Sequence, residues 1–251
     1  MLVMGILNVT PDSFADGGRH NDFEAAVARG LEMIAEGVDI IDIGGESTRP
    51  GAERVTEEEE IARTIPVITE LAKHRTTISI DTMRASTAEA AVKAGASIIN
   101  DVSGGLADGA MLQTAARLNV PYIAMHWRGH SKDMNFKAIY GDVVSEVLSE
   151  LNERIEAALD AGIQKDKLII DPGIGFAKDA EHNWAIIDSI VRFVSTGYPV
   201  LVGASRKRFL SGESPDEREQ ATIELTKRLG TTGVWAVRVH SVKPHKEVLS
   251  R

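Results

Sequence analysis

Short apolar segments, each ending at a polar residue, alternate along the chain with longer segments in which apolar residues recur at helical spacing. A short continuous apolar run is typical of a strand covered on both faces, as in a parallel sheet. Strands are predicted at residues 2–9, 38–43, 77–80, 96–99, 122–125, 168–170, 199–202 and 234–239.

The segments between the strands carry helix start and stop signals. Asn21 or Asp22 is expected to cap the first helix, and Thr56 with Glu59 has the spacing of a capping box at the start of the second. Helices are predicted at residues 23–36, 56–73, a segment ending at 95, 110–118, 143–160, 183–195, 216–229 and 243–250.

The number of strand–helix units indicates the fold. Eight units in 251 residues match the length of a TIM barrel. A doubly wound open sheet would need fewer units or a visible split, and no linker or low-complexity segment divides the chain. We therefore predict an α/β protein with a single (β/α)8 TIM barrel domain over residues 1–251, its active site at the C-terminal ends of the strands.

Net charge, cysteine content and the length of apolar runs limit which kinds of molecule the protein is expected to bind. The formal net charge of −9 argues against a general nucleic-acid surface, so any anion site must be local. The absence of cysteine excludes a disulfide framework and a thiolate zinc site, and it fits a reducing compartment. No apolar run reaches membrane-spanning length, and the N-terminus resembles a strand rather than a signal peptide. We expect a cytoplasmic protein with no membrane or nucleic-acid partner.

Polar residues stand at the C-terminal end of every predicted strand, where a TIM barrel places its catalytic groups. Any one of them is explained as a cap or a turn residue: Asp81 would cap the following helix, and Asp171 before Pro172 would begin a turn. All eight strand ends together favour an active site. The residues are Asn8, Asp42 with Glu46, Asp81, Asn100 with Asp101, His126, Asp171, Ser205 with Lys207, and Arg238 with His240.

These residues divide into two chemical groups. Asp81, Asn100 and Asp171 suit a polar heterocycle with NH and NH₂ groups, because carboxylates accept hydrogen bonds and an amide both donates and accepts. The other group would bind an anion such as phosphate or carboxylate. It comprises Arg49, Arg206, Lys207, Arg208, Arg238 and His240.

Several polar residues have a plainer interpretation. Three adjacent cations at 206–208 are also what a solvated basic turn contains, and that alternative stays open. Arg63, Lys73 and Arg75 are predicted to lie on a solvated helix face. His126 and His130 are spaced like a metal pair, but no third ligand is evident, which argues against a zinc site. The Asn8 side chain offers an oxygen suited to a hard cation.

Eight strings of residues carry a resemblance to a known family: NVTPDSF at 8–14, DGG at 16–18, GESTRPG at 45–51, IDT at 80–82, INDVSG at 99–104, DPGIGF at 171–176, GASRKRF at 203–209 and RVH at 238–240. In this order and over nearly the whole chain, the sequence resembles the dihydropteroate synthases, a family of pterin-binding TIM barrels. The GESTRPG and SRK strings are highly specific for it.

The resemblance implies a transferase of folate biosynthesis that joins a dihydropterin methyl diphosphate to p-aminobenzoate, assisted by Mg²⁺. It implies that sulfonamides compete with p-aminobenzoate and that the protein is a homodimer. By resemblance, the pterin site comprises Asp81, Asn100, Met125, Asp171, Phe176 and Lys207, and the p-aminobenzoate site comprises Thr48, Arg49 and Pro50, with Phe176, Ser205 and Lys207 beside them. Asn8, Arg238 and His240 would bind diphosphate, with Mg²⁺ on Asn8, and Asp16, Arg49 and Lys207 would be catalytic.

The chain departs from the family pattern in three places. Ser241 stands where the family usually has Asp after the RVH string, which removes a carboxylate that would orient His240. Residues 230–234 are less typical, and Ala15 and the segment 127–129 also differ. Two alternatives therefore stay open: a non-catalytic pterin-binding paralogue, and a corrinoid- or folate-linked methyltransferase. The second would not be expected to combine the STRPG loop with the SRK and RVH strings.

Overall fold

The structure, a computed structural model, describes residues 1–10, 18–46, 54–129 and 134–250, with the backbone alone for 18–21, 134 and 135. Eight parallel strands pair in the order β6-β5-β4-β3-β2-β1-β8-β7, and a bridge between Ile170 and Val200 joins the two ends into a barrel. The α/β barrel prediction is confirmed. The strands are β1 Leu2–Asn8, β2 Ile40–Gly44, β3 Thr77–Asp81, β4 Ile98–Asp101, β5 Tyr122–Met125, β6 Leu168–Asp171, β7 Leu201–Val202 and β8 Ala236–Val239.

Helices connect the strands and cover the outside of the barrel. In the described ranges they are α1 Gly18–Ala35, α2 Glu57–Leu71, α3 Ala85–Ala94, α4 Met111–Leu118, α5 Val143–Asp160, α6 Ala180–Asp188, α7 Ile190–Val194, α8 Pro215–Leu229 and α9 Lys243–Leu249. None of the helices in this described part of the chain is long and apolar enough to cross a membrane.

Some element boundaries differ from those predicted. The first helix begins at Gly18, so the prediction of an N-cap at Asn21 or Asp22 is wrong. The single helix predicted over 183–195 is two helices, because the chain leaves helical geometry at Ser189, with φ −102° and ψ 15°. Thr56 is the N-cap of α2 as predicted: its side chain accepts a hydrogen bond from the Glu59 N–H at 3.2 Å.

The barrel interior is apolar at the bottom and polar at the top. A buried cluster at the bottom contains Met4, Ile40, Ile98, Ile123, Ile169, Leu201 and Ala236. Because side chains on a strand alternate between its two faces, the residue two positions further along points into the same interior. Those residues include Asp42, Asn100, Met125, Asp171 and Arg238. Strand periodicity therefore brings the candidate site residues together above an apolar floor.

Candidate active site

The Arg238 guanidinium lies between two buried carboxylates at the top of the barrel. Its Nε donates to Asp42 Oδ2 and its Nη2 to Asp81 Oδ2, each at 2.6 Å. Asn100 Nδ2 donates to the same Asp42 oxygen at 3.0 Å. Burial disfavours the charged guanidinium, but Asp42 and Asp81 outweigh that effect and raise the pKa of Arg238. The structure therefore joins Arg238, predicted for the anion site, to Asp81 and Asn100 of the pterin site.

Asp42 contacts Arg238 and Asn100, although the sequence assigns it neither to the anion-binding residues nor to the pterin-binding residues. It is fully buried on β2, and its Oδ2 receives hydrogen bonds from both Arg238 and Asn100. Its Oδ1 and the hydroxyl of Ser79, which pairs with it in the β2–β3 ladder, are buried without hydrogen-bond partners among the described residues. Arg238 is thus the cation that pairs with Asp42. The signal in the sequence is its position, two residues before the end of β2.

Asp81 has a pH-dependent effect on stability. Burial raises its pKa to about 7 from the ordinary value of 3.8, although Arg238 acts in the opposite direction. The folded state therefore binds a proton more tightly than the unfolded state. The stability from this group is complete below pH 3.8 and is lost as the pH rises towards 7.

We therefore expect the free energy of unfolding of wild type, relative to Asp81→Asn, to fall by up to about 1.4 kcal/mol per pH unit within that range. Urea unfolding of the two proteins at several pH values measures the difference. Any loss of the Arg238 contact in the variant adds an offset that does not change with pH. A difference that stays constant between pH 4 and 7 would contradict the prediction.

Lys207 and the loop after β6 form the other side of the site. The Lys207 ammonium donates to the Ile174 carbonyl and lies 4.4 Å from the centroid of the Phe176 ring. Burial lowers the pKa of Lys207 to about 8, with Asp171 opposing this shift. Gly175 has φ +76°, and a Cβ there would lie 2.6 Å from Lys207 Cδ, so a side chain at this position would be strained and would displace Lys207.

Asp171, at the end of β6, fixes the turn that follows the strand. Its Oδ1 accepts a hydrogen bond from the Gly173 N–H at 2.7 Å, which is the turn interaction that the sequence allows. Burial raises the pKa of the carboxyl group, with Gly173 and Lys207 opposing the shift. Met125, 3% exposed, is the ladder partner of Asp171 on β5. Asp171 and Met125, both assigned to the pterin site by the resemblance, therefore lie side by side at the ends of two neighbouring strands.

Ser205 and His240 lie in contact at the ends of β7 and β8. The Ser205 Oγ is 2.9 Å from His240 Nδ1, and it accepts a hydrogen bond from the His240 backbone N–H at 3.2 Å. Arg206 pairs with other residues: its Nε donates to Glu219 on α8, and its Nη2 donates to Ser241 Oγ at 2.8 Å. Arg206 is therefore paired with a carboxylate in this structure, and its assignment to the anion site stays a prediction. Arg208 is exposed.

The Ser241 departure consequently has a structural explanation. Ser205 makes the contact to the His240 ring that was expected from an aspartate at position 241, whereas Ser241 holds Arg206. Ser205→Ala is expected to lower kcat/KM by about 2–10-fold, the value of one orienting hydrogen bond. Ser241→Ala, the matched control, should change it by less than about 2-fold. Steady-state kinetics of both proteins test this, and a larger loss in Ser241→Ala would reverse the assignment.

The sequence suggests two kinds of metal ligand, the pair His126 and His130 and the single residue Asn8. His126 contacts Glu150 and Lys178, while His130 lies outside the described residues. Nowhere in the described ranges do three His, Cys, Asp or Glu side chains form a possible metal site. Asn8, at the end of β1 beside Gly44, is partly exposed, and no described side chain hydrogen-bonds to its amide. Its oxygen could therefore serve as a single protein ligand to Mg²⁺, which commonly takes few protein ligands and completes its shell with water and phosphate.

Four predicted site residues, Asp16, Thr48, Arg49 and Pro50, lie outside the described residues. The chain on either side of 47–53 is joined by Arg84. Its Nη1 lies 2.8 Å from Glu46 Oε2 and 2.5 Å from Glu60 Oε2, and its Nη2 donates to the Val55 carbonyl at 2.6 Å.

A second cation supports the same region. Arg63 donates to the Gly45 carbonyl at 2.8 Å and to Glu59, and its side chain is only 17% exposed. The prediction that Arg63 lies on a solvated face is therefore wrong, whereas Lys73, 61% exposed, does lie there. Both arginines contact the polypeptide that leads to the predicted p-aminobenzoate residues.

Comparison with known proteins places this barrel in a family. A family model described as "Pterin binding enzyme" matches residues 4–240, and the chain belongs to that family. The dihydropteroate synthase of Mycobacterium leprae is 47% identical over 257 aligned positions, covering 98% of this chain and 90% of the relative. Within the pterin-binding enzymes, the chain belongs to the dihydropteroate synthases, which are transferases.

Solved structures agree with this assignment. The Xanthomonas albilineans dihydropteroate synthase with 4-aminobenzoic acid has a TM-score of 0.93 and 44% identity, covering 99% of this chain and 90% of that one. The enzyme from the same organism in complex with 7,8-dihydropteroate has a TM-score of 0.89 and 41% identity, covering 99% of this chain and 91% of that one. The family resemblance found in the sequence is confirmed.

Proposed function

We propose that this protein condenses 6-hydroxymethyl-7,8-dihydropterin diphosphate with p-aminobenzoate to give 7,8-dihydropteroate and diphosphate. The observation that carries the proposal is the position of Arg238: its guanidinium, predicted to bind an anion, donates to Asp81 of the predicted pterin site and to the buried Asp42. The ligands of the Xanthomonas albilineans enzyme, 4-aminobenzoic acid and 7,8-dihydropteroate, support the same reaction.

Asp81, Asn100 and Asp171 would recognise the pterin ring. Ring N–H and NH₂ groups need acceptors, and a buried carboxylate or amide without that partner is costly, so the pocket selects a ligand that donates hydrogen bonds. Phe176 and Met125 would pack against the ring, and Lys207 would donate to its acceptor atoms. These assignments make the barrel top a site for a polar, flat heterocycle.

Arg238, His240 and Asn8 would bind the diphosphate. Fixed positive charge stabilises the negative charge that develops on a departing diphosphate. Asn8 would hold Mg²⁺, which when bound supplies further positive charge for the departing diphosphate. The Asn8 oxygen suits this role because no described side chain occupies it.

The reaction breaks the bond between the pterin methylene carbon and the diphosphate oxygen and forms a bond from that carbon to the aryl nitrogen. We propose a dissociative displacement, in which the bonding electrons leave with diphosphate and the pterin stabilises the methylene cation. The attacking aryl amine is already neutral at pH 7, so no strong general base is required, and the proton it loses passes to solvent. Asp16 would stabilise the cation, while Thr48, Arg49 and Pro50, with Phe176 and Ser205, would hold p-aminobenzoate.

Diphosphate release tests the proposal. Purified protein receives the pterin diphosphate, Mg²⁺ and p-aminobenzoate, and diphosphate and dihydropteroate are quantified. Release that needs p-aminobenzoate, falls on chelation of Mg²⁺ and is inhibited competitively by a sulfonamide supports the proposal. Pterin binding without turnover would favour the non-catalytic paralogue instead. The homodimer, also proposed from the family resemblance, is tested by sedimentation of the same sample.

A further inference from the structure

Lys178 is a buried lysine in the polypeptide that connects β6 to α6, and it is 9% exposed. Its Nζ lies 2.8 Å from His126 Nδ1 and donates to the carbonyls of Gly173 at 3.1 Å and Phe176 at 3.0 Å. An ammonium group has three N–H donors and no acceptor, so all three of its donors are satisfied. Burial lowers the pKa of Lys178 well below its usual range, with the Asp171 charge opposing the shift.

His126 links Lys178 to helix α5. Its Nε2 lies 2.9 Å from Glu150 Oε2, and Arg128 donates to the same carboxylate. Burial lowers the pKa of His126 to about 4, with the Lys178 charge acting in the same direction, so the imidazole is neutral at pH 7. Because ionised Glu150 can only accept, the proton lies on Nε2 and Nδ1 accepts from Lys178. A continuous chain of contacts thus leads from α5 to two carbonyls of the β6–α6 loop.

The conformation of this loop explains why it needs support. Gly173, Gly175 and Ala177 all have positive φ, at 68°, 76° and 47°, and for alanine this region is sterically unfavourable. A Cβ on Gly173 would lie 2.4 Å from the His126 carbonyl oxygen, so the loop packs directly against the end of β5. An unusual backbone persists only where surrounding contacts hold it.

The same loop contacts Lys207, the catalytic candidate. Lys207 donates to the Ile174 carbonyl and lies above the Phe176 ring, whereas Lys178 binds the carbonyls of Gly173 and Phe176. Two lysines therefore hold adjacent peptide groups of one short loop. Lys178 does so from the buried interior, and Lys207 does so from the candidate site. A shift of the Phe176 peptide would move both its ring and the neighbouring Ile174 carbonyl.

We propose that Lys178 is a positioning residue for the pterin half of the site. Through the Gly173 and Phe176 carbonyls, it holds the Phe176 ring and the Ile174 carbonyl where Lys207 meets them. The kinetic consequence rests on the proposed function, whereas the effect on the loop does not.

The absence of native cysteine allows an exact replacement of the ammonium group. The thiolate of Lys178→Cys displaces bromide from 2-bromoethylamine, giving a thioether of lysine length that ends in an ammonium. A parallel sample treated with 1-iodopropane ends in a methyl group at the same place. Alkylation in urea followed by refolding reaches the buried thiol. The two samples differ in one terminal group, so each is the matched control for the other.

The aminoethyl sample is expected to recover the wild-type KM for the pterin diphosphate to within about threefold. The propyl sample should lose about 10–100-fold in kcat/KM, the range for loss of a supporting contact. In hydrogen exchange, the amides of residues 173–177 should exchange faster in the propyl sample. Melting temperatures report whether both samples are folded.

Equal kinetics and equal exchange in the two folded samples would overturn the inference. If the propyl sample does not refold, His126→Leu replaces it, because that substitution removes one hydrogen-bond acceptor of Lys178. The amides of residues 173–177 should again exchange faster than in wild type. Unchanged exchange in that variant would overturn the inference equally. A wild-type protein without turnover would contradict the proposed function, and the exchange comparison would still decide the role of Lys178.

Discussion

Arg238→Met is expected to destabilise the protein by about 3–5 kcal/mol, the cost of removing one partner from a buried ion pair. Asp42 is fully buried and Asp81 is 9% exposed, and each accepts a 2.6 Å hydrogen bond from the guanidinium. Methionine fills similar space without charge, so both carboxylates would lose their cation while remaining out of water. Urea unfolding at pH 7.5 measures the loss.

A second substitution distinguishes lost charge from lost packing. Asp42→Asn added to Arg238→Met neutralises the acid with the least access to water, so the double variant should be more stable than the single one. The amide also keeps an oxygen that accepts from Asn100. A single variant within 1 kcal/mol of wild type, or a double variant that is no more stable than the single one, would show that the guanidinium does not compensate the two acids.

The barrel and much of its interior could be predicted because both depend on local sequence pattern. Each strand is a short apolar run, and the alternation of side chains forces Asn100, Met125, Asp171 and Arg238 to share one interior. The chemical types at these positions then indicate what they bind. The alternation also predicts that Asp42 points inward, but the partners of its carboxylate come from β4 and β8.

Features that depend on backbone turns or on distant contacts could not be predicted. Arg206 and Lys207 are neighbours in the sequence, yet a left-handed residue at Arg206, φ 58°, sends one cation to Glu219 and the other towards Ile174. Nothing local distinguishes them. Lys178 likewise acts through His126, 52 residues away. Such assignments follow only once the barrel has brought the separate loops together.

Lys207→Ala is expected to reduce kcat/KM for the pterin diphosphate by roughly 30–1000-fold, equivalent to about 2–4 kcal/mol of transition-state stabilisation. The ammonium is a preorganised charge, held by the Ile174 carbonyl and the Phe176 ring. Because its pKa is about 8, wild-type kcat/KM should also decline as the pH rises above 8 and the charge is lost. The variant should lack that decline, since it has no ammonium to titrate.

Lys73→Ala is the matched control for this prediction. Lys73 is 61% exposed and pairs with Glu70 on the helical surface, an interaction that contributes at most about 1 kcal/mol to stability. Its removal should leave kcat/KM and the pH profile unchanged. Steady-state kinetics of the three proteins between pH 6.5 and 9.5 separate the two lysines. Near-normal kinetics in Lys207→Ala would mean that the Lys207 ammonium neither stabilises the departing diphosphate nor holds the pterin, because such a charge cannot be removed without a loss of rate.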